Sequence, residues 1–283
     1  MFAAGASTCY SLGVVLQAIE ARETPSELSL RPALVISLLS RVRWLAGIGL
    51  SILGWPLQLV ALLLAPLVVV QPALACGLIV LLIAAERMLH EKAGRYEYSC
   101  IALIMVGVAG AGLFAPPHGD THADQSTITI VLLILALVSL MPYVLSAFGR
   151  SHPQIIILGA GLAFAWSGIA TALASDDIAA RHWPPAIAWA VAAGAAAAVG
   201  VLSETSALQA RPAIQVAPVV SVVQTVVPVV VAPILLDEHF TDTPLHGVPL
   251  AISLLILLTG AALLNRSPLL VALMEEREPA APA

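Results

Sequence analysis

Glu204 stands in the stretch Leu202-Ser203-Glu204-Thr205-Ser206, inside an apolar run that covers roughly 184–209. An ionisable side chain in such a run is expensive, so it marks a functional site by default. Glu204 precedes Arg211 by seven residues, which on a helix puts it about 10 Å inside that end. Desolvation disfavours the charged form of a carboxyl, so the expected role of Glu204 is proton coupling. The competing reading is a partly solvated carboxylate bonded to Ser203 or to another helix. Amides form the second set: Gln17, Gln58, Gln71, Gln215 and Gln224 lie at or within apolar runs, where an amide either binds a solute or bridges helices. Tyr10, Trp55 and Trp166 are candidates for a cavity wall, whereas Trp44 and Trp183 near run ends suit interface anchors. The expected substrate and proton pathway is therefore Glu204, Gln58, Tyr10, Gln17, Gln71, Trp166 and Gln224. Glu20, Glu86 and Glu91 stand at run ends, where solvated carboxylates are expected.

Other chemistry is thinly represented. The loop with His118, Asp120, His122 and Asp124, together with Asp237, Glu238, His239, Asp242 and His246, offers oxygen and imidazole ligands. One reading is a divalent-cation antechamber; the other is an outer loop from which Lys and Arg are excluded. Mg2+ keeps its water and wants carboxylates along its path, and Glu204 stands alone inside the runs, so no bound metal is expected. No Gly-rich loop ends in Gly-Lys-Ser/Thr, which excludes an ATP motor of that type. No nucleophile–base spacing is present either, so neither an enzyme nor a cofactor is expected. Cys9, Cys76 and Cys100 are odd in number and lie in or at the ends of apolar runs, against a disulfide framework.

The elements that must position these residues are membrane-length helices. Sixty per cent of the residues are apolar and 10% charged, far from the soluble-domain norm. Apolar runs occupy roughly 2–20, 42–64, 67–86, 97–115, 126–148, 153–175, 184–209, 213–236 and 247–265, each near the roughly 20 residues that cross a hydrocarbon core. With the N-terminus outside, Arg22, Arg31, Arg41, Arg43, Arg87, Lys92, Arg95, Arg150, Arg211, Arg266 and Arg277 are cytoplasmic and only Arg181 is external. Such asymmetry sets membrane orientation. The first run has no basic residue ahead of it, unlike a secretory signal, and is expected to be retained. The expected fold is an all-α membrane protein of nine transmembrane helices, N-out and C-in. Pro32–Ser40 is apolar but too short to span; it is expected in the interface, and counting it as a span gives the alternative of ten helices. No compact basic patch of the kind nucleic acid requires is present.

The two halves of the chain are alike. Ala61–Pro66 with Gln71-Pro72 matches Ala207–Pro212 with Ala217-Pro218 at a constant offset of 146, and Gly54 pairs with Gly200 at the same offset. Leu89-His90-Glu91 matches Leu236-Asp237-Glu238 at offset 147. Gly5-Ala6-Ser7 with Tyr10 has a fainter partner in Gly159-Ala160-Gly161 with Phe164. At these offsets Gln58 is the counterpart of Glu204. Four helices fall in each half, and the single run 126–148 between them inverts the second. The expected organisation is a first repeat over 1–115, an outer loop and linker helix over 116–152, an inverted second repeat over 153–265 and a cytoplasmic tail over 266–283. Inverted repeats are the signature of alternating-access carriers, with the site at the repeat interface.

The Ala-Pro and Gln-Pro entry into a helix that ends in Leu-His-Glu-Lys, followed by the Gly-rich run 101–115, resembles the EamA-type repeat of the drug/metabolite transporter superfamily. His90 stands where that family often has Gly, and the second copy has Asp237. Nine helices with a long first cytoplasmic loop are closer to the NIPA branch, which is magnesium-transporter-like. The resemblance implies a fold and transport in general and carries no substrate code. The expected function is a secondary transporter, an exporter of a small metabolite or amphipathic compound, coupled to protons through Glu204. The alternatives are a NIPA-like divalent-cation transporter and a non-transporting scaffold or partner subunit of an envelope complex. Expected partners are membrane lipid and a small-molecule solute, with no nucleic acid; a homodimer or membrane-complex partner is compatible. One lysine against eleven arginines points to a bacterial plasma membrane.

Overall fold

A computed structural model describes residues 1–64, 70, 73–114, 125–150, 152–235 and 244–267. Every regular element among them is helical. The first half holds α1 (Phe2–Arg22), α2 (Pro32–Leu38), α3 (Val42–Leu64), α4 (Gly77–Met88) and α5 (Arg95–Phe114). Helices α6 (Gln125–Ser139) and α7 (Met141–Ala147) follow. The second half holds α8 (Pro153–Ala179), α9 (Trp183–Ala210), α10 (Ala213–Leu235) and α11 (Val248–Asn265). These bounds track the apolar runs because each run ends where charge or a Pro stops it.

Among the described residues, seven helical stretches are long and apolar enough to cross a membrane. The pair Pro32–Leu38 and Val42–Gln58, bent by 103°, makes an eighth if taken as one span. The count is seven or eight rather than nine because the runs 42–64 and 67–86 adjoin or include residues outside the described set. Residues 21–41 hold a 3-10 turn, Ser26–Leu28, and the short α2. Leu34 and Leu38 of α2 are buried with Trp44 against Val201 and Leu202 of α9, while Ile36 and Leu39 are exposed. A seven-residue helix with one apolar face covered is held by that contact and not by its own length.

Three long antiparallel pairs make the body: α3 along α1, α9 along α8 and α11 along α5. Small residues set their spacing, since packing between helices in lipid relies on close backbone approach. A Cβ on Gly13 would lie 2.8 Å from the Gly47 carbonyl, and one on Gly54 would lie 2.8 Å from the Tyr10 ring. On the second pair a Cβ on Gly200 would lie 2.8 Å from the Phe164 ring, and Ser167 donates to the Ala193 carbonyl at 2.9 Å. On the third, a Cβ on Gly107 would lie 2.7 Å from the Leu257 backbone, and one on Gly260 would lie 2.9 Å from the Cys100 carbonyl. Helix α4 meets α1 where Gly77 touches Ser7, and α10 meets α8 where Gly161 touches Val223. Helix α10 runs between the halves, packed on α8, α11, α9, α4, α5 and α1.

The outer faces carry Ile52, Leu53, Leu133, Leu137, Val191 and Leu255, each more than half exposed. A surface this apolar on all sides belongs in hydrocarbon. The chain is a multi-pass helical membrane protein.

Candidate functional site

Helix α9 changes character in its last third. Ser203, Glu204, Thr205, Ser206, Ala207 and Leu208 are consecutive and all buried. A lipid-facing helix buries one stripe; six successive buried residues mean that this segment is enclosed on every side. Helices α1, α8, α10 and α2 pack on α9. Ser203 pairs with the Tyr143 hydroxyl at 2.9 Å. Ser206 donates to the Leu202 carbonyl at 2.7 Å and accepts the N–H of Leu30 at 2.9 Å. The Glu204 carboxyl, 7% exposed, makes no hydrogen bond or ion pair among the described residues. Ser203, the neighbour expected to satisfy it, is already engaged by Tyr143. The adjacent Thr205 hydroxyl is buried without a partner as well.

Tyr10 and Gln58 are brought together: the Tyr10 hydroxyl donates to Gln58 Oε1 at 3.0 Å. Gln17 is buried about two helical turns further along α1, against Gly47, and its Oε1 has no partner. Trp166 serves a separate place. Its indole N–H donates to the Leu132 carbonyl at 2.8 Å, and its ring helps wall a groove of about 230 Å3 with Thr129, Leu132, Leu133, Ala136 and Trp189. Gln224 is exposed on α10. Gln71 lies outside the described residues. The expected pathway thus divides into a Tyr10–Gln58 contact, Gln17 on the same helix α1, an enclosed Glu204, Trp166 at its groove and an exposed Gln224.

The acidic residues at the run ends differ from expectation. Glu20 and Glu91 are buried, because each finds cations or N–H groups inside the fold. Glu91 pairs with Arg22 and accepts the N–H of Ala213 at 2.7 Å and of Ile214 at 3.0 Å. It therefore fills two of the orphan donors at the start of α10. Glu20 and Glu23 both meet Arg41 at 3.3 Å. Glu86 is half-buried and accepts the Tyr98 hydroxyl at 3.2 Å. Glu97, which sequence reasoning passed over, is buried at the start of α5; it accepts the Gly94 N–H at 2.7 Å and the Ser267 hydroxyl. Its signal was local: a Glu three residues after the helix cap reaches back to the cap N–H. Gln215 donates to Asn265 in the same region. Residues 20–44, 91–97, 206–215 and 263–267 are thus cross-linked at one end of the bundle, the end that carries most of the arginines.

The described residues hold no group of three or more His, Cys, Asp or Glu arranged to bind a metal. Of the loop ligands considered above, His118, Asp120, His122, Asp124, Asp237, Glu238, His239 and Asp242 lie outside the described residues. Cys9, Cys76 and Cys100 are free thiols.

No family model matches the chain, and no solved structure matches it. An uncharacterized protein of Corynebacterium glutamicum is 27% identical over 179 residues, 62% of each of the two chains. The probable magnesium transporter NIPA9 of Arabidopsis thaliana is 35% identical over 103 residues, 36% of this chain and 28% of that protein. The chain therefore spans less than two thirds of the length of either relative. With seven membrane-length helices among the described residues, this similarity fits a membrane transporter.

Proposed function

We propose that the chain is a secondary transporter that carries a small metabolite or amphipathic compound outward across a bacterial plasma membrane, coupled to protons through Glu204. The observation that carries this reading is the Glu204 carboxyl, buried in an enclosed polar segment and without a bonded partner among the described residues. A structural carboxylate in hydrocarbon would be paired; an unpaired one is free to take up and release a proton.

Two inverted repeats about α6 and α7 would supply the alternating access. Contacts recurring at fixed offsets support this. Tyr10 on Gly54 corresponds to Phe164 on Gly200, Gly13 at Gly47 to Ser167 at Ala193, and Ser7 at Gly77 to Gly161 at Val223. Each uses an offset of 154 on the first helix and 146 on the second or third. The α5–α11 crossing supports it too, with Gly107 on Leu257 and, three residues further along each chain direction, Gly110 on Ser253 and Gly260 on Ile104. A pseudo-twofold axis through Gly107 and Leu257, as inverted repeats require, would produce that reciprocity. The arginine-rich end would face the cytoplasm, giving an N-out, C-in chain. No covalent chemistry on the solute is part of this reading.

The second reading is a magnesium carrier, favoured by the match to a probable magnesium transporter. Charge movement in proteoliposomes on a solid-supported membrane separates the two, with wild type beside Glu204→Gln and a panel of Mg2+, amino acids, sugars and cationic drugs, each with and without a pH step. A solute signal that disappears in Glu204→Gln supports the proton-coupled carrier. PH-driven transport unchanged by the substitution sinks it. A Mg2+ signal that survives the substitution selects the cation reading.

A further inference from the structure

Two aromatic rings occupy equivalent seats in this fold, and only one carries a hydroxyl. A Cβ built on Gly54 would meet Tyr10 at Cε1, Cδ1 and Cζ at 2.8, 3.0 and 3.0 Å; one built on Gly200 would meet the same three atoms of Phe164 at 2.8, 2.9 and 3.0 Å. The two rings therefore present the same edge to their glycines at distances that agree to within about a tenth of an ångström. Four residues beyond each glycine, on the same helix face, stand Gln58 and Glu204. In the first seat the ring hydroxyl reaches the polar side chain, Tyr10 to Gln58 at 3.0 Å. In the second, the para position of Phe164 has only hydrogen to offer.

We propose that Phe164 is a positioning residue for Glu204: by filling the seat without a hydroxyl it keeps the carboxyl unpaired and available to its proton or solute. This rests on the role given to Glu204 above.

Among the described residues no side chain is bonded to the Glu204 carboxyl, and the titratable groups on the helices around it are absent or engaged elsewhere. Helices α2 and α10, both packed on α9, bring no titratable group. Helix α7 brings Tyr143, engaged by Ser203. Helix α1 brings Cys9, Tyr10 bonded to Gln58, Glu20 paired with Arg41, and Arg22 paired with Glu91. Helix α8 carries Asp176 and Asp177, the latter thirteen residues beyond Phe164, about 20 Å along the helix. A tyrosine at 164 would fit, since the ring's seat already accepts one at Tyr10. The sequence therefore bears a difference of one oxygen atom between two otherwise matched positions.

The test is acid-minus-alkaline difference infrared spectroscopy of the full chain in liposomes, using Glu204→Gln to identify the Glu204 carboxylic C=O band. The expected wild-type band is that of an acid without a hydrogen-bond donor on its carbonyl. It should move to lower wavenumber in Phe164→Tyr and stay in place in Phe164→Leu. A band unmoved in Phe164→Tyr overturns the proposal, as does a wild-type band already at the hydrogen-bonded position or no Glu204-dependent band at any pH. Should Phe164→Tyr not fold, Gln58→Glu on the Glu204→Gln background gives a carboxyl beside the native Tyr10. Its band should rise in wavenumber when Tyr10→Phe is added, and constancy overturns the geometry. These readouts do not require transport. Transport indifferent to Glu204→Gln alongside a band that moves as expected would sink the carrier reading and leave the contact standing.

Discussion

Glu91 holds the first residue of α10: its carboxylate accepts the N–H of Ala213 at 2.7 Å while pairing with Arg22 at the end of α1. One side chain thus joins the loop after α4, the exit of α1 and the entry of α10. Removing it leaves a largely buried guanidinium and two helix N–H groups without their partner. Glu91→Ala should cost about 3–5 kcal/mol, the usual consequence of breaking a buried pair from one side. Glu91→Gln keeps an acceptor and should cost less. Thermal unfolding in detergent micelles reads both, and equal stability of the alanine variant and wild type would remove the cap from the account.

The glycines divide into two classes. A Cβ on Gly107 meets the Leu257 backbone at 2.7 Å, whereas one on Gly194 meets nothing within 4 Å. Gly107→Ala should destabilise by about 1–3 kcal/mol through overpacking of α5 on α11. Gly194→Ala should be neutral or gain up to about 1 kcal/mol from helix propensity. The same unfolding assay ranks them; a reversed order would mean that α5 and α11 are not packed as described.

His90 has φ 56°, the left-handed conformation that costs a side chain about 1–2 kcal/mol. His90→Gly should raise stability by about 1 kcal/mol, part of the relief being lost to greater freedom of the unfolded chain. A loss of stability would show that the imidazole makes a contact worth more than the strain.

Tyr10→Phe should cost about 1 kcal/mol, the net worth of one hydrogen bond. In a double-mutant cycle with Gln58→Leu the second substitution should add less than it does alone. Additive costs would show that the 3.0 Å bond contributes nothing to stability.

Helix positions were legible in the sequence because hydrophobicity along the chain is a local property. The runs 97–115, 153–175 and 213–236 appear as α5 at Arg95–Phe114, α8 at Pro153–Ala179 and α10 at Ala213–Leu235. Glu204 was legible for the same reason, as a charge inside an apolar run. Glu91 was not, since its backbone partners lie 122 and 123 residues downstream and nothing beside Glu91 announces them. Type and span alone place Trp166 and Gln224 among the pathway candidates. Which way a side chain turns depends on the helices packed around it: the Trp166 indole donates to an α6 carbonyl, and Gln224 is exposed.

By itself the sequence determined that this is a helical membrane chain, the approximate extent of runs such as 97–115, 153–175 and 213–236, and that Glu204 stands within an apolar run. Bilayer length and the cost of charge in hydrocarbon act residue by residue along the chain. Only the tertiary structure decided that Glu20 and Glu91 are interior pairs, that Ser203 belongs to Tyr143, and that the Tyr10 and Phe164 rings lie against Gly54 and Gly200. Those are relations between segments far apart in sequence, set by helix packing at glycine contacts that no local pattern encodes.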